Sequence, residues 1–190
     1  MEWHILWVTI IVIIVNVYRY YHNGDDGYNN LNEDTDNNIK ETVMEEVIST
    51  RQLALKTIEN IGSEPKYNEE GRIQFEYQGI VFLMEAANDC LFVNLIWPWC
   101  HSFSKFDIDE FSRVRQVVNE VNLRESVSVI YTFTDSDDVA LHIKKHFLLV
   151  PQIPEVEEYL KLILNSFFRT ARTLDLEIEK CRMQECEQQV

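Results

Sequence analysis

The chain reads as an α+β protein with elements in the order α-β-β-β-α-β-β-α and an antiparallel sheet packed on helices. Three observations predict this. Between residues 40 and 178 the apolar residues switch several times between helical and strand spacing. The first three strands are separated by turns too short for anything but antiparallel neighbours. The last element carries a single apolar stripe about six turns long, which marks a helix.

A different kind of segment precedes the domain. From Trp3 to Tyr18, 16 residues contain no Asp, Glu, Lys or Arg. At about 1.5 Å per helical residue they would span about 24 Å, and running on to Tyr21 gives about 28 Å, near the roughly 30 Å hydrocarbon core of a bilayer. Trp3 and Trp7 at one end and Tyr18, Tyr20 and Tyr21 at the other fit interfacial aromatic belts. A signal peptide would need a basic leader and a small-residue cleavage site. Here Glu2 is the only charge ahead of the run, and bulky Val17, Tyr18, Tyr20 and Tyr21 follow. Residues 3–21 are therefore expected to be a retained, single-pass transmembrane anchor. Arg19 and His22 follow it, which puts the rest of the chain on the cytoplasmic side of the inner membrane. Four Cys, at 90, 100, 181 and 186, lack the density of a disulfide scaffold, in keeping with a reducing compartment.

The formal charge is −15, from 32 acidic and 17 basic residues. This argues against nucleic acid as a partner, because phosphate contacts need clustered Lys and Arg. The acidity is uneven: residues 23–71 hold twelve acids and four bases, a net −8. Such charge keeps a domain soluble and holds it off an anionic leaflet.

The elements follow in order. Asn23 to Asn38 contains six Asn, four Asp and two Gly, with only Tyr28 and Leu31 apolar. It cannot bury enough apolar area to offset ordering entropy, so 22–39 is expected to be a flexible tether. It lacks the two flanking helices of a calcium-binding loop. Ile39 to Ile61 has helical spacing, ended by Gly62 and Pro65. Arg72 to Tyr77 alternates as a half-solvated strand, and Gln78-Gly79 turns the chain. Ile80 to Met84 is continuously apolar, as in a strand covered on both faces. Cys90 to Trp97 is the third strand, stopped by Pro98.

Asp107 starts the next helix as its cap, with Glu110 placed to complete a capping-box-like pair. Phe111, Val114, Val118 and Val121 form its apolar stripe, and Arg113, Arg115, Glu120 and Asn122 lie off it. Ser126 to Thr134 alternates Val127, Val129, Tyr131 and Phe133 against the remaining residues, and Val139 to Val150 forms the second strand of that pair. Pro154 opens the last helix, with a stripe of Val156, Leu160, Ile163, Phe167, Ala171, Leu174 and Ile178. The polar tail 179–190 is expected to fray.

No GxSxG, P-loop or HExxH occurs, and the five Gly form no phosphate-cradling loop. No catalytic residue or cofactor is expected. His142 and His146, four apart on a strand, stand about 13 Å from each other, too far for one metal ion. Cys181 and Cys186 lack the spacing of a metal knuckle. The oddest segment is Trp97-Pro98-Trp99-Cys100-His101-Ser102-Phe103, placed where a loop is expected. Its rings either cap the end of the sheet or, if exposed, mark a recognition surface.

The element order, with Phe106-Asp107-Ile108-Asp109-Glu110-Phe111 and Val118-Asn119-Glu120-Val121-Asn122 between the third and fourth strands, resembles the YbjN family. The domain of that family is similar to the type III secretion chaperone fold. The resemblance covers residues 40–178 and leaves out the anchor and the tether. It implies a non-enzymatic domain, often a homodimer, that binds polypeptide or acts in regulation, and it brings no catalytic residues. The expectation is a membrane-anchored protein-binding domain, chaperone-like or regulatory. Its contact residues would be Trp97, Trp99 and Phe103, with Arg113 and the outer face of the 107–122 helix. The alternative is a sensor holding a small ligand between the sheet and the long helix, and an enzyme ranks last.

Overall fold

Ser49 sets the start of the first helix, α1 (Thr50–Asn60), in the computed structural model, which describes residues 48–188. The expected anchor, the tether and the last two residues lie outside these. Ser49 Oγ accepts from the Gln52 N–H at 3.3 Å, and the Gln52 side chain accepts from the Ser49 N–H at 3.0 Å. This reciprocal pair is a capping box. A single helix from Ile39 to Ile61 is thereby corrected, because Ile48 and Ser49 are not helical. The end matches the sequence reading. Gly62 sits at φ +89° and donates to Glu59 O, while Ser63 donates to Ile58 O, as in a Schellman motif.

One antiparallel sheet follows, built from β1 (Lys66–Tyr67), β2 (Ile73–Tyr77), β3 (Ile80–Glu85), β4 (Phe92–Ser104), β5 (Ser128–Phe133) and β6 (Asp138–Leu148). Its order is β1-β2-β3-β4-β6-β5, so the last hairpin inserts β6 beside β4 and leaves β5 at the edge. The two-residue β1 is not legible in the sequence. Among the described residues, helices cover only one face. In β3, Phe82 and Met84 are buried while Val81 is 43 % exposed, which corrects the expectation of a strand covered on both sides.

The third strand does not stop at Pro98. β4 runs through it to Ser104, and the expected loop at 97–103 is strand. Trp97 pairs with Ile143 and His101 with Leu141, so Pro98, Trp99 and Cys100 together face the single residue His142. This is a β-bulge. Proline is tolerated there because it has no ladder hydrogen bond to lose.

α2 (Ile108–Arg124) is capped by Asp107, whose carboxylate accepts from the Glu110 N–H at 2.9 Å. α3 (Val156–Gln188) buries Leu160, Ile163, Phe167, Leu174 and Ile178 along the expected stripe. The expected fraying beyond Glu179 is corrected too, since the helix continues to Gln188. Arg182 and Glu185 hold it there, as described below. Among the described residues no helix is long and apolar enough to cross a membrane.

Candidate functional site

The aromatic residues of β4 divide between two places. Trp97 lies on the helix-covered face, with its ring centroid 5.9 Å from Phe82 and 5.5 Å from Phe168. Phe82 in turn meets Phe75 and Phe167 at 5.7 and 5.6 Å. Trp97 is half-buried and packs into this cluster. The same rings lie between the sheet and the long helix, where the sensor alternative placed its ligand.

Phe103 belongs to a second cluster. The register aligns Phe103 with Val139 and Val139 with Phe133, and likewise His101 with Leu141 and Leu141 with Tyr131. Directly opposite residues share a face of the sheet. Val139 and Leu141, both fully buried, are the floor. Phe111, from the first turns of α2, stands over it. Its centroid is 6.3 Å from Phe103, 5.6 Å from Tyr131 in an edge-to-face contact, and 5.9 Å from Phe133. Nothing among the described residues closes this cluster from outside: Phe133 is 62 % and Tyr131 38 % exposed. The turn into α2 adds the exposed side chains of Phe106 and Ile108. The result is an aromatic ledge at one end of the sheet. Solvated aromatic groups of this kind are the usual chemistry of recognition surfaces.

Spacing alone assigns Phe111, Tyr131 and Phe133 to a buried stripe and an inward strand face. It gives the face a residue points to, not whether a helix reaches far enough to cover it.

Trp99 lies on the open face of the sheet. The bulge turns it to φ +57° and leaves it 59 % exposed, with its ring 5.8 Å from that of His142. The Trp99 N–H donates to His142 Nδ1 at 3.2 Å, so the imidazole proton sits on Nε2, which faces Thr132 Oγ1 at 2.8 Å. Burial pushes the His142 pKa below its ordinary value. His146, on the same strand, is exposed instead at a cavity rim. Cys100, beside Trp99, donates through Sγ to Leu141 O. Burial, with the Asp175 carboxylate adding to it, pushes that thiol up to about 12, so it stays protonated and unreactive at neutral pH.

Arg113 does not offer a free cation to a partner. Its side chain is 11 % exposed and pairs with Glu110 and Glu185. Glu110, 5 % exposed, also takes a two-pronged contact from Arg182, at 2.6 and 3.3 Å. Glu110 therefore does not complete a capping box. Its carboxylate binds two guanidinium groups instead, and the chain Glu185–Arg113–Glu110–Arg182 ties α2 to the end of α3. Hydrogen bonding to Arg113 holds the Glu185 carboxyl below its ordinary range.

A cavity of about 680 Å³ opens at the start of α1, lined by Arg51, Arg72, Glu85, Asn94 and His146 among others. Arg72 Nε is 2.9 Å from Glu85, and Arg51 Nε donates to Ala86 O at 2.9 Å. Asn94 Oδ1 is buried there without a hydrogen-bond partner among the described residues. The exposed Cys90 thiol is at its rim, far in sequence from Cys181 on α3.

No family model matches the chain, and no curated protein does. Among solved structures it is similar to an uncharacterized protein from Methanothermobacter thermautotrophicus, at a TM-score of 0.48 and 12 % identity, covering 69 % of this chain and 97 % of that one.

Proposed function

We propose that this chain is a membrane-anchored, non-enzymatic protein-binding domain of YbjN type, chaperone-like or regulatory, that docks its partner on the aromatic ledge. The observation that supports it is the exposure of Phe133, Tyr131, Phe106 and Ile108 around the half-buried Phe103 and Phe111. These rings stand on a sheet floor held by strand pairing, so they are pre-positioned, and binding need not order them first. Of the contact residues read from the sequence, Phe103 belongs to the ledge and Trp99 to the open face, Trp97 packs half-buried under α3, and Arg113 is engaged by Glu110 and Glu185.

The test replaces Phe133 by the photoreactive p-benzoylphenylalanine in the full chain and irradiates native membranes. A covalent adduct of defined mass at position 133, absent when the label sits at buried Phe75, is the expected result. A folded chain that gives no protein adduct at 133 refutes the reading. A second reading, a small-ligand sensor, is favoured only by the cavity with the unpartnered Asn94 Oδ1. It predicts a ligand-dependent rise in melting temperature that Asn94→Leu removes.

A further inference from the structure

The ledge ends on an edge strand whose main-chain groups are only partly used. Thr134 donates to Asp138 O at 2.9 Å, so Thr132, Ile130 and Ser128, in alternation back from it, bond to β6. The N–H and C=O groups of Val129, Tyr131 and Phe133 therefore point away from the sheet. Asn122 occupies those of Val129, accepting from its N–H at 2.7 Å and donating to its C=O at 2.9 Å. Those of Tyr131 and Phe133 have no partner among the described residues. The same two residues present exposed rings to the ledge. The strand runs from there into acidic ground. Lys105 N–H donates to Asp137 O at 2.9 Å, and the Lys105 ammonium pairs with the Asp137 carboxylate. This ties the turn into α2 to the turn after β5 and neutralises Asp137. It leaves Asp109 on one side and Asp135 on the other, both exposed and without an ion pair among the described residues. Arg115, one turn after Phe111, sets a single exposed cation against them.

We propose that the occupant of the ledge is an extended segment of a partner protein with the pattern basic-x-apolar-x-apolar, added antiparallel to β5. The proposal rests on the reading of the ledge as a docking surface and gives its occupant a chemistry. Every pairing in the sheet is antiparallel, and that direction is also the more stable per residue. It sets the two apolar residues opposite Phe133 and Tyr131. Each exchanges two main-chain hydrogen bonds with its counterpart and lays its side chain on the ledge. The basic residue precedes them and comes opposite Asp135. Pairing stops after Tyr131, because Asn122 already holds Val129. The three features divide the work of recognition. Main-chain bonding along an edge accepts an extended chain of any sequence. The rings restrict the inward positions to apolar side chains. The unpaired carboxylates favour a Lys or Arg at the leading position and repel an acid there, which also fixes the direction in which the segment lies.

The probe is a fluorescent peptide with the core Lys-Thr-Phe-Thr-Val, titrated into the detergent-solubilised full chain and read by anisotropy against empty micelles. A peptide with Glu in place of Lys, and one with the core in reverse order, are each expected to bind about tenfold more weakly. N-methylation of the Phe or Val amide, which would donate to β5, is expected to abolish binding. N-methylation of either Thr amide, which faces away from β5, should change it by less than about threefold. Asp135→Lys, in an exposed turn, should reverse the preference so that the Glu peptide binds the tighter. Glu69→Lys, an equal charge change at an exposed position elsewhere, should leave the preference as it is. A Lys peptide that does not bind overturns the proposal. So do equal binding of the Lys and Glu peptides or of the two core orders, a preference that Glu69→Lys reverses as Asp135→Lys does, and indifference to which amide is methylated. The benzoylphenylalanine adduct separates the two levels. With an adduct at 133, any of these failures removes the basic-apolar strand and keeps the docking ledge, whereas the absence of an adduct removes the ledge reading on which the proposal rests.

Discussion

Trp97 and Phe103 lie six residues apart on β4, on the same face of the sheet, and have opposite fates. Around Trp97, α3 lays Phe167 and Phe168 over Phe82 and closes the cluster. Around Phe103, Phe111 of α2 reaches in, and among the described residues Tyr131 and Phe133 stay open. The residue types and the strand alternation are the same in both places. What differs is the helix overhead. Aromatic content alone therefore says nothing about recognition; the uncovered cluster is where surface chemistry is available.

Substitutions can break this contrast, beginning with the covered cluster. Phe82→Ala is expected to cost about 3–5 kcal/mol in urea unfolding, since it opens a void among four rings. A loss under about 1 kcal/mol would show that the Trp97 cluster is not a core. Next comes the tie between the helices. Glu110→Ala leaves Arg113 and Arg182 without their shared carboxylate and is expected to cost about 2–3 kcal/mol. Hydrogen exchange should accelerate most beyond Glu179, where the sequence alone predicts fraying.

Asn122 Oδ1 accepts from the Val129 N–H at 2.7 Å and Asn122 Nδ2 donates to its C=O at 2.9 Å, so Asn122→Ala removes both partners, with an expected cost of about 1–2 kcal/mol. Phe133→Ser should change stability by less than about 0.5 kcal/mol, the range of a surface position, while abolishing adducts formed from a benzoylphenylalanine placed at Phe106. Strong destabilisation instead would move Phe133 into the core.

The smallest effect concerns Trp99. His142 accepts from the Trp99 N–H only when unprotonated, and burial lowers its folded pKa. Its contribution to stability is thus fully present above the unfolded imidazole value of about 6.5. That contribution declines as pH falls from there toward the lower folded value, because the unfolded chain takes the proton first. Trp fluorescence that Trp99→Phe removes should shift with a midpoint below about 6.5. A midpoint above that value would contradict the buried acceptor geometry.

Much of the fold was legible residue by residue. The α3 stripe from Leu160 to Ile178, the Asp107 cap and the Gly62 stop are local patterns, and each is found where its spacing put it. The failures are non-local. Pro98 ends a strand by local rules, but a bulge opposite His142 absorbs it. Glu110 and Arg113 look like a cap residue and a solvent-facing cation until Arg182 and Glu185 arrive from 72 positions away. Of the contact residues read from the sequence, Trp99 is exposed, Trp97 and Phe103 are half-buried against the core, and Arg113 is ion-paired.

The sequence by itself determined the α+β class, the order of the main elements, and which residues point to the helix side of each strand, because periodicity is a property of neighbours along the chain. The tertiary structure decided which of those inward residues are covered. It put β5 at the edge, set Asn122 against Val129, and stopped the helical roof short of Phe133. Burial depends on which distant element lies overhead, and no local pattern encodes that distance.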